Sequence, residues 1–404
     1  MPESVRSKVL DWEEARRIVI ETVRMLPRNS EEEMVSLSEA HGRVLAQLVI
    51  ADRDYPALRR SLRDGFAVRA SDVPGRLRIR GEVRAGEGES DPLQPGEALE
   101  IMTGAPVPEG ADAVVMVEHA QREGDFVCVE AQAEPGQFIN NRGAEAPCGS
   151  ALIPVGARID ASHIATLAMT GYVQAPVLRR PRVAILATGD EIVDLDTEPD
   201  PYQIRNSNSY MLAALVRAAG GEPTVLPVAG DHKEALTRLL RKGLEQDMLI
   251  VSGGVSAGKY DLVKPCLREI GVEFHFERVR VQPGQPTAFG TFQNKPVFGL
   301  PGNPGSSLIT FQLFARAALQ LLAGDHSPIL PLLSARFEAP FRHKPGLTRF
   351  LPARLSADGQ QLHHVPWQGS SDIPALAKAN VFLVADGDRE SWEVGDSIRV
   401  MLKP

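Results

Sequence analysis

A chain of 404 residues with 43% hydrophobic and 24% charged side chains is too long for one core and too ordinary in composition to be largely disordered, so two to four domains are expected. The formal net charge of −8 argues against a general nucleic-acid or membrane-surface binder, yet leaves room for a local basic pocket. Cys128, Cys148 and Cys266 are odd in number and lack C-x-x-C spacing, which argues against a disulfide framework or a thiolate metal site.

The first residues, Met-Pro-Glu-Ser-Val-Arg, carry no apolar signal core, and no run of about 18 apolar residues is present to span a bilayer. A cytoplasmic protein with no membrane partner is the expectation. Over 11–26, Trp12, Ala15, Ile18, Val19, Val23 and Leu26 recur at helical spacing, and a second helix is predicted around 38–49. From about 65 to 135, short alternating runs broken by Gly and Pro predict a small β-rich domain.

Residues 182–323 change character. Strands are predicted at 182–187, 224–228, 247–251, 273–281 and 295–300. Helices are predicted at 207–219, 232–245, 262–270 and from 305 to about 322. Strands alternating with helices of this length imply βαβ units and a doubly wound, mostly parallel α/β sheet. From Pro328 onward the short strands return, and a small β-barrel or sandwich is expected.

Ligands of open α/β sheets bind outside the carboxyl ends of the strands. Here those ends carry Thr188-Gly189-Asp190-Glu191, then Gly230-Asp231, then Ser252-Gly253-Gly254-Val255-Ser256-Ala257-Gly258 with Asp261, and last Pro301-Gly302-Asn303-Pro304. Glycines let backbone approach an anion without an intervening Cβ, hydroxyls add donors, and carboxylates suit Mg²⁺ beside phosphate oxygens. Each piece has a plainer reading: Asp231 as a helix cap, Asn206 and Asn208 as turn formers, and the glycine run as a tight connection that matches neither phosphate-loop consensus. Their convergence on one sheet edge favours a site for a phosphorylated or nucleotidylated small molecule. His363-His364 reads as strand surface, and Ser61 and Ser256 have no evident His base for hydrolase chemistry.

As a set, the motifs resemble the MoeA/gephyrin E-domain family, the molybdopterin molybdenumtransferases. They are Arg43-Val44-Leu45-Ala46, Ser61-Leu62-Arg63-Asp64-Gly65-Phe66, Met102-Thr103-Gly104-Ala105-Pro106, Thr188-Gly189-Asp190-Glu191, Ser252-Gly253-Gly254-Val255-Ser256, Pro283-Gly284 and Gly299-Leu300-Pro301-Gly302-Asn303-Pro304. The resemblance implies four domains. An elongated helical domain comprises 1–54 and 146–178, with a β-rich insert at 55–145. A MogA-like α/β domain covers 179–326, and a C-terminal β-barrel-like domain covers 327–404.

It also implies a homodimer, with the cleft between the α/β domain of one chain and the β domain of its partner. The implied enzyme, a transferase, inserts molybdate into adenylylated molybdopterin, releases AMP and uses Mg²⁺. Glu191, Asp231 and Asp261 would hold the metal, and with Asp64 and Thr103 they form the implied catalytic set. Substrate contacts would come from Thr188, Gly189, Asp190, Ser252, Gly253, Gly254, Ser256, Gly258, Gln282, Gln285, Pro301, Gly302 and Asn303. A molybdopterin adenylyltransferase and apo-molybdoenzymes are the implied protein partners.

Three positions depart from the family pattern. An Asn-Ser-Ala-Met-Asp-Gly-type run reads Arg60-Ser61-Leu62-Arg63-Asp64-Gly65, a Lys-Pro-Gly-Lys-Pro pattern reads Gln282-Pro283-Gly284-Gln285-Pro286, and Glu-Asp reads Ala144-Glu145. Arg278 and Arg280, on the face of Gln282, could compensate for the missing lysines. These departures motivate an alternative: a weakly active or non-catalytic paralogue that holds pterin as a scaffold. Adenylyl transfer to the pterin is the third reading.

Overall fold

A computed structural model describes residues 9–27, 31–88, 90–230, 232–255, 261–326, 328 and 330–403. At its centre is a six-stranded sheet in the order Glu222–Val225, Arg182–Ala187, Met248–Ser252, Lys295–Leu300, Ala288–Phe292, Glu273–Phe276. The first four strands run parallel; Ala288–Phe292 runs antiparallel to Lys295–Leu300, and Glu273–Phe276 antiparallel to Ala288–Phe292.

Alternation along the strands feeds two separate cores, as a sheet covered on both faces requires. Val183, Ile185 and Ile250 join Leu212 and Val216 of helix Ser207–Ala218, together with Ile309 and Phe314. Ala184, Leu186, Leu249 and Val251 face the other way, onto Leu236 and Leu240 of Lys233–Gly243 and Leu267 of Val263–Ile270. The sheet is doubly wound, as the periodicity predicted.

Helix Trp12–Arg24 buries Trp12, Ile18, Val19 and Val23 in the first of these cores. Just before it, Leu10–Asp11 pairs in parallel with Val279–Arg280. The segments flanking the β-rich insert meet each other: Glu32–Ser36 pairs with Gln174–Leu178 and Val49–Ile50 with Ala151–Ile153. Between them lies a six-stranded sheet running from Ala113–Met116 through Gly65–Val68, Glu97–Ile101, Gly75–Val83 and Phe126–Val129 to Ala120–Glu123.

Near the C-terminus, Thr348–Leu355, Gln361–His364, Leu332–Phe337, Ser397–Leu402 and Val381–Ala385 pair in turn, and the last returns to the first, closing a barrel. Phe337, Leu351, Leu362, Leu383, Trp392 and Val400 fill it. Closure removes the exposed strand edges.

Two predicted elements are corrected. The helix expected around 38–49 is a single turn, Leu37–Glu39, followed by Gly42 at φ +74 and bridges from Val44 to Arg158 and Leu45 to Val177. Backbone partners offered by a distant segment outweigh a weak local helical preference. The strand expected over 273–281 divides into Glu273–Phe276 and Val279–Gln282, one in the α/β sheet and the other paired with the barrel strand Thr348–Leu355.

Candidate functional site

Parallel register aligns the strand ends. Ala187 lies opposite Ser252, and Ser252 opposite Leu300, so the residues that follow each strand arrive side by side. Backbone bonds continue the ladder past the sheet: Thr188 N–H donates to Ser252 O at 3.0 Å, Gly253 N–H to Leu300 O at 3.0 Å and Gly189 N–H to Ala229 O at 3.1 Å. Beyond them opens a cavity of about 400 Å³.

The turn after Met248–Ser252 needs its glycines. Gly253 has φ +98, and a Cβ there would sit 2.5 Å from Thr188 O; Gly254 has φ +62, and its Cβ would meet Val263 Cγ2 at 2.6 Å. Only glycine permits both the left-handed backbone and this approach. Behind the turn lies a hydroxyl and amide network. Asn208 Nδ2 donates to Ser252 Oγ at 2.9 Å and to Gly302 O at 2.6 Å, while Ser307 Oγ donates to Pro301 O. Asn303 Nδ2 reaches Ser370 Oγ at 2.9 Å, tying the 301–304 turn to the segment that follows the barrel strand Gln361–His364.

Two buried atoms at the cavity have no hydrogen-bond partner among the described residues: Thr188 Oγ1 and Asn208 Oδ1. A buried polar atom left unpaired costs about 1–3 kcal/mol, which a bound ligand would relieve. One is a hydroxyl able to donate and the other an amide oxygen able to accept, so the cleft offers both senses.

Of the predicted site residues, Thr188, Gly189, Glu191, Ser252, Gly253 and Gly254 line the cavity. So do Asp261, Pro301, Gly302 and Asn303. Asp190 is not in the lining; its carboxylate turns toward Gly230. Gln282 and Gln285 also fall outside it, although the adjacent Pro286 forms part of the wall. Arg278 Nη2 donates to Gln285 Oε1 at 3.4 Å, which brings a cation to the altered motif, and Arg280 shares the exposed strand face with Gln282. Asp231, Ser256 and Gly258 lie outside the described residues.

Asp64 and Thr103 sit together on the β-rich insert, not in the cavity lining of their own chain. Thr103 donates its backbone N–H at 2.6 Å and its hydroxyl at 2.8 Å to Asp64 Oδ1. Those bonds, the backbone one first, hold the Asp64 carboxyl below the usual carboxylate range. For a metal, Glu191 and Asp261 supply hard oxygen donors at one cavity. Among the described residues no group of three His, Cys, Asp or Glu clusters as a complete ligand set, and Asp231 is not among them. His363 is exposed strand surface paired with Glu338.

The sequence reading passed over Arg205, Ser207 and the structural role of Asn208, all in the cavity wall, along with Ile192 and Ile204. The available signal was the polar run Arg205-Asn206-Ser207-Asn208 at a helix start. Asn206 caps helix Ser207–Ala218 by accepting from Ser209 N–H at 3.1 Å, which places that helix N-terminus at the cleft.

Fold and site together define a multidomain protein whose doubly wound α/β unit holds a small-molecule cleft at its strand ends. The sequence matches the MoeA N-terminal region (domain I and II) over residues 10–171, a probable molybdopterin binding domain over 184–321 and the MoeA C-terminal region (domain IV) over 334–403. The chain belongs to the MoeA family.

A molybdopterin molybdenumtransferase from Nostoc sp. is 39% identical over 318 residues, covering 76% of this chain and 73% of that protein. One from Bacillus subtilis is 33% identical over 389 residues, covering 93% and 90%. Among solved structures, a molybdopterin biosynthesis moeA protein from Pyrococcus horikoshii superposes with a TM-score of 0.80 at 27% identity, over 98% of this chain and 100% of that one. A second structure of such a protein from that organism gives 0.76 at 32% identity, over 98% and 99%.

Proposed function

We propose that the protein is a molybdopterin molybdenumtransferase of molybdenum cofactor biosynthesis, which inserts molybdenum from molybdate into adenylylated molybdopterin and releases AMP, with Mg²⁺ as cofactor. The observation that carries this reading is the cleft itself. A turn that only glycine can make, a Thr188 hydroxyl with no partner among the described residues and the carboxylates of Glu191 and Asp261 converge on one cavity.

The chemistry requires a charged diphosphate to be held while AMP departs, which is a matter of positioning and charge neutralisation. The turn at 253–254 would leave room for phosphoryl oxygens, and the Thr188 hydroxyl would donate to one of them. Asn208 fixes Ser252 and Gly302 relative to each other, so both flanks of the cleft keep their spacing. Glu191 and Asp261 would hold Mg²⁺, together with Asp231; the ion would supply positive charge to the leaving phosphate. Asp64 and Thr103, absent from their own chain's cleft, are assigned to the cleft of a second copy in a homodimer.

Titration of adenylylated molybdopterin into the purified protein tests the binding half. The expected result is saturable binding that AMP competes away, with the Mg²⁺-dependent part lost in Asp261→Asn while the fold is kept. Absence of saturable binding, or an Asp261→Asn protein that responds to Mg²⁺ as the wild type does, would overturn the assignment.

A further inference from the structure

Residues 192–205 leave the cleft edge and return to it as a strap. Ile192–Val193 pairs in parallel with Ile204–Arg205, Ile204 N–H donates to Glu191 O at 2.8 Å and Asn206 N–H to Val193 O at 2.9 Å. Arg205 ties the loop to itself: its Nε donates to Leu195 O and to Thr197 O, each at 3.1 Å. These contacts occupy one nitrogen of the guanidinium. Its two Nη groups have no hydrogen bond or ion pair among the described residues.

Charge makes the position unusual. Arg205 is the only cationic side chain among the described residues lining the cavity, whose other charged lining groups are Glu191 and Asp261. The strap itself is acidic in sequence, with Asp194, Asp196, Glu198 and Asp200, none of them in the cavity lining. Next to Arg205 stands the N-terminus of the 12-residue helix Ser207–Ala218, whose partial positive charge adds to the guanidinium. Thr188, on the same cavity wall, has a buried Oγ1 with no hydrogen-bond partner among the described residues, a second polar group there that a ligand could engage.

We propose that Arg205 is an oxyanion-binding residue of the cleft, its Nη groups taking two oxygens of a tetrahedral oxyanion while its Nε holds the strap together. A planar guanidinium fork matches such an oxyanion with two parallel N–H···O bonds, a geometry an ammonium cannot reproduce. The inference rests on the function proposed above and names the residue that offsets the cleft's carboxylates. The oxyanion is either the adenylyl phosphate or molybdate, both of them anionic and tetrahedral.

The test titrates AMP and molybdate separately, each with Mg²⁺, into the full-length wild type, Arg205→Gln and Arg205→Lys. Arg205→Gln is expected to weaken one of the two ligands about 10-fold, the loss of a charge-assisted pair at a partly solvated site. Arg205→Lys is expected to recover part of that loss, because charge returns without the fork. Weakening confined to AMP assigns the phosphate, and weakening confined to molybdate assigns the metal oxyanion.

If the wild type binds and Arg205→Gln binds both ligands equally well, the Arg205 inference fails and the proposed function stands. If Arg205→Lys loses as much affinity as Arg205→Gln, the residue is only a structural staple and the inference again fails. A wild type that binds neither ligand would refute both.

Discussion

Thr103 gives both of its donors to Asp64, so the carboxylate that serves the proposed shared site is set by its nearest neighbour and not by a distant charge. Its pKa lies below the ordinary carboxylate value, held there first by the backbone bond and then by the hydroxyl. The stabilisation this contributes is complete above the unfolded value, about 3.9, and disappears as pH falls through the folded one. Thr103→Ala removes the hydroxyl bond and leaves the backbone bond. The Asp64 titration followed by carboxyl-carbon NMR should therefore move toward the ordinary value without reaching it, and the acid-side loss should become smaller and be complete at higher pH. An unmoved midpoint would contradict the bond's role. At this scale the sequence identified most of the acids and glycines of the cleft, because residue type alone advertises a left-handed turn or a hard ligand. It missed Arg205, whose relevance depends on a strap that brings residue 205 back beside residue 193.

The helix that follows the 301–304 turn is not uniform: Pro304–Thr310 and Arg316–Leu322 are α-helical, and Phe311–Ala315 between them is π-helical. Widening there disturbs the regular acceptor pattern, and Arg16 from helix Trp12–Arg24 supplies a donor, Nη1 to Leu313 O at 2.6 Å with Nη2 to Pro328 O at 3.1 Å. Burial, and then the neighbouring Arg316, lower the Arg16 pKa to about 10, which still leaves it charged at neutral pH. Arg16→Leu should destabilise the protein by about 1–3 kcal/mol in denaturant unfolding, since a buried carbonyl loses its charged donor. A change below about 0.5 kcal/mol would show that the π-helical segment satisfies itself. Long periodic elements such as Trp12–Arg24 were legible because one face repeats its burial. The 273–281 strand was not, since its alternation carries no mark of the switch from one sheet to another at Glu277, where Lys264 and Arg268 pair with the carboxylate.

Across the whole molecule, the residues proposed for one reaction occupy two places in the same chain: Glu191 and Asp261 at the α/β cleft, Asp64 and Thr103 on the β-rich insert. The proposed homodimer would reconcile them, each cleft being completed by a second copy. Mixing Asp64→Asn with Asp261→Asn protein should then restore activity. In a mixed dimer one cleft receives both intact carboxylates and the other receives neither, so a random mixture returns about a quarter of the wild-type rate. A mixture as inactive as its components would place both groups in one chain or remove Asp64 from the reaction. The layered architecture was legible in the order of strands and helices, whereas closure of the C-terminal barrel was open to a sandwich reading, because only pairing between Thr348–Leu355 and Val381–Ala385 distinguishes them.

The proposed turnover is most directly tested by incubating the purified protein with adenylylated molybdopterin, molybdate and Mg²⁺, following AMP and the ability of the product to activate an apo-molybdoenzyme. The expected result is Mg²⁺-dependent release of AMP together with active molybdenum cofactor. No metal-dependent AMP release, with a competent relative working in parallel, would contradict it.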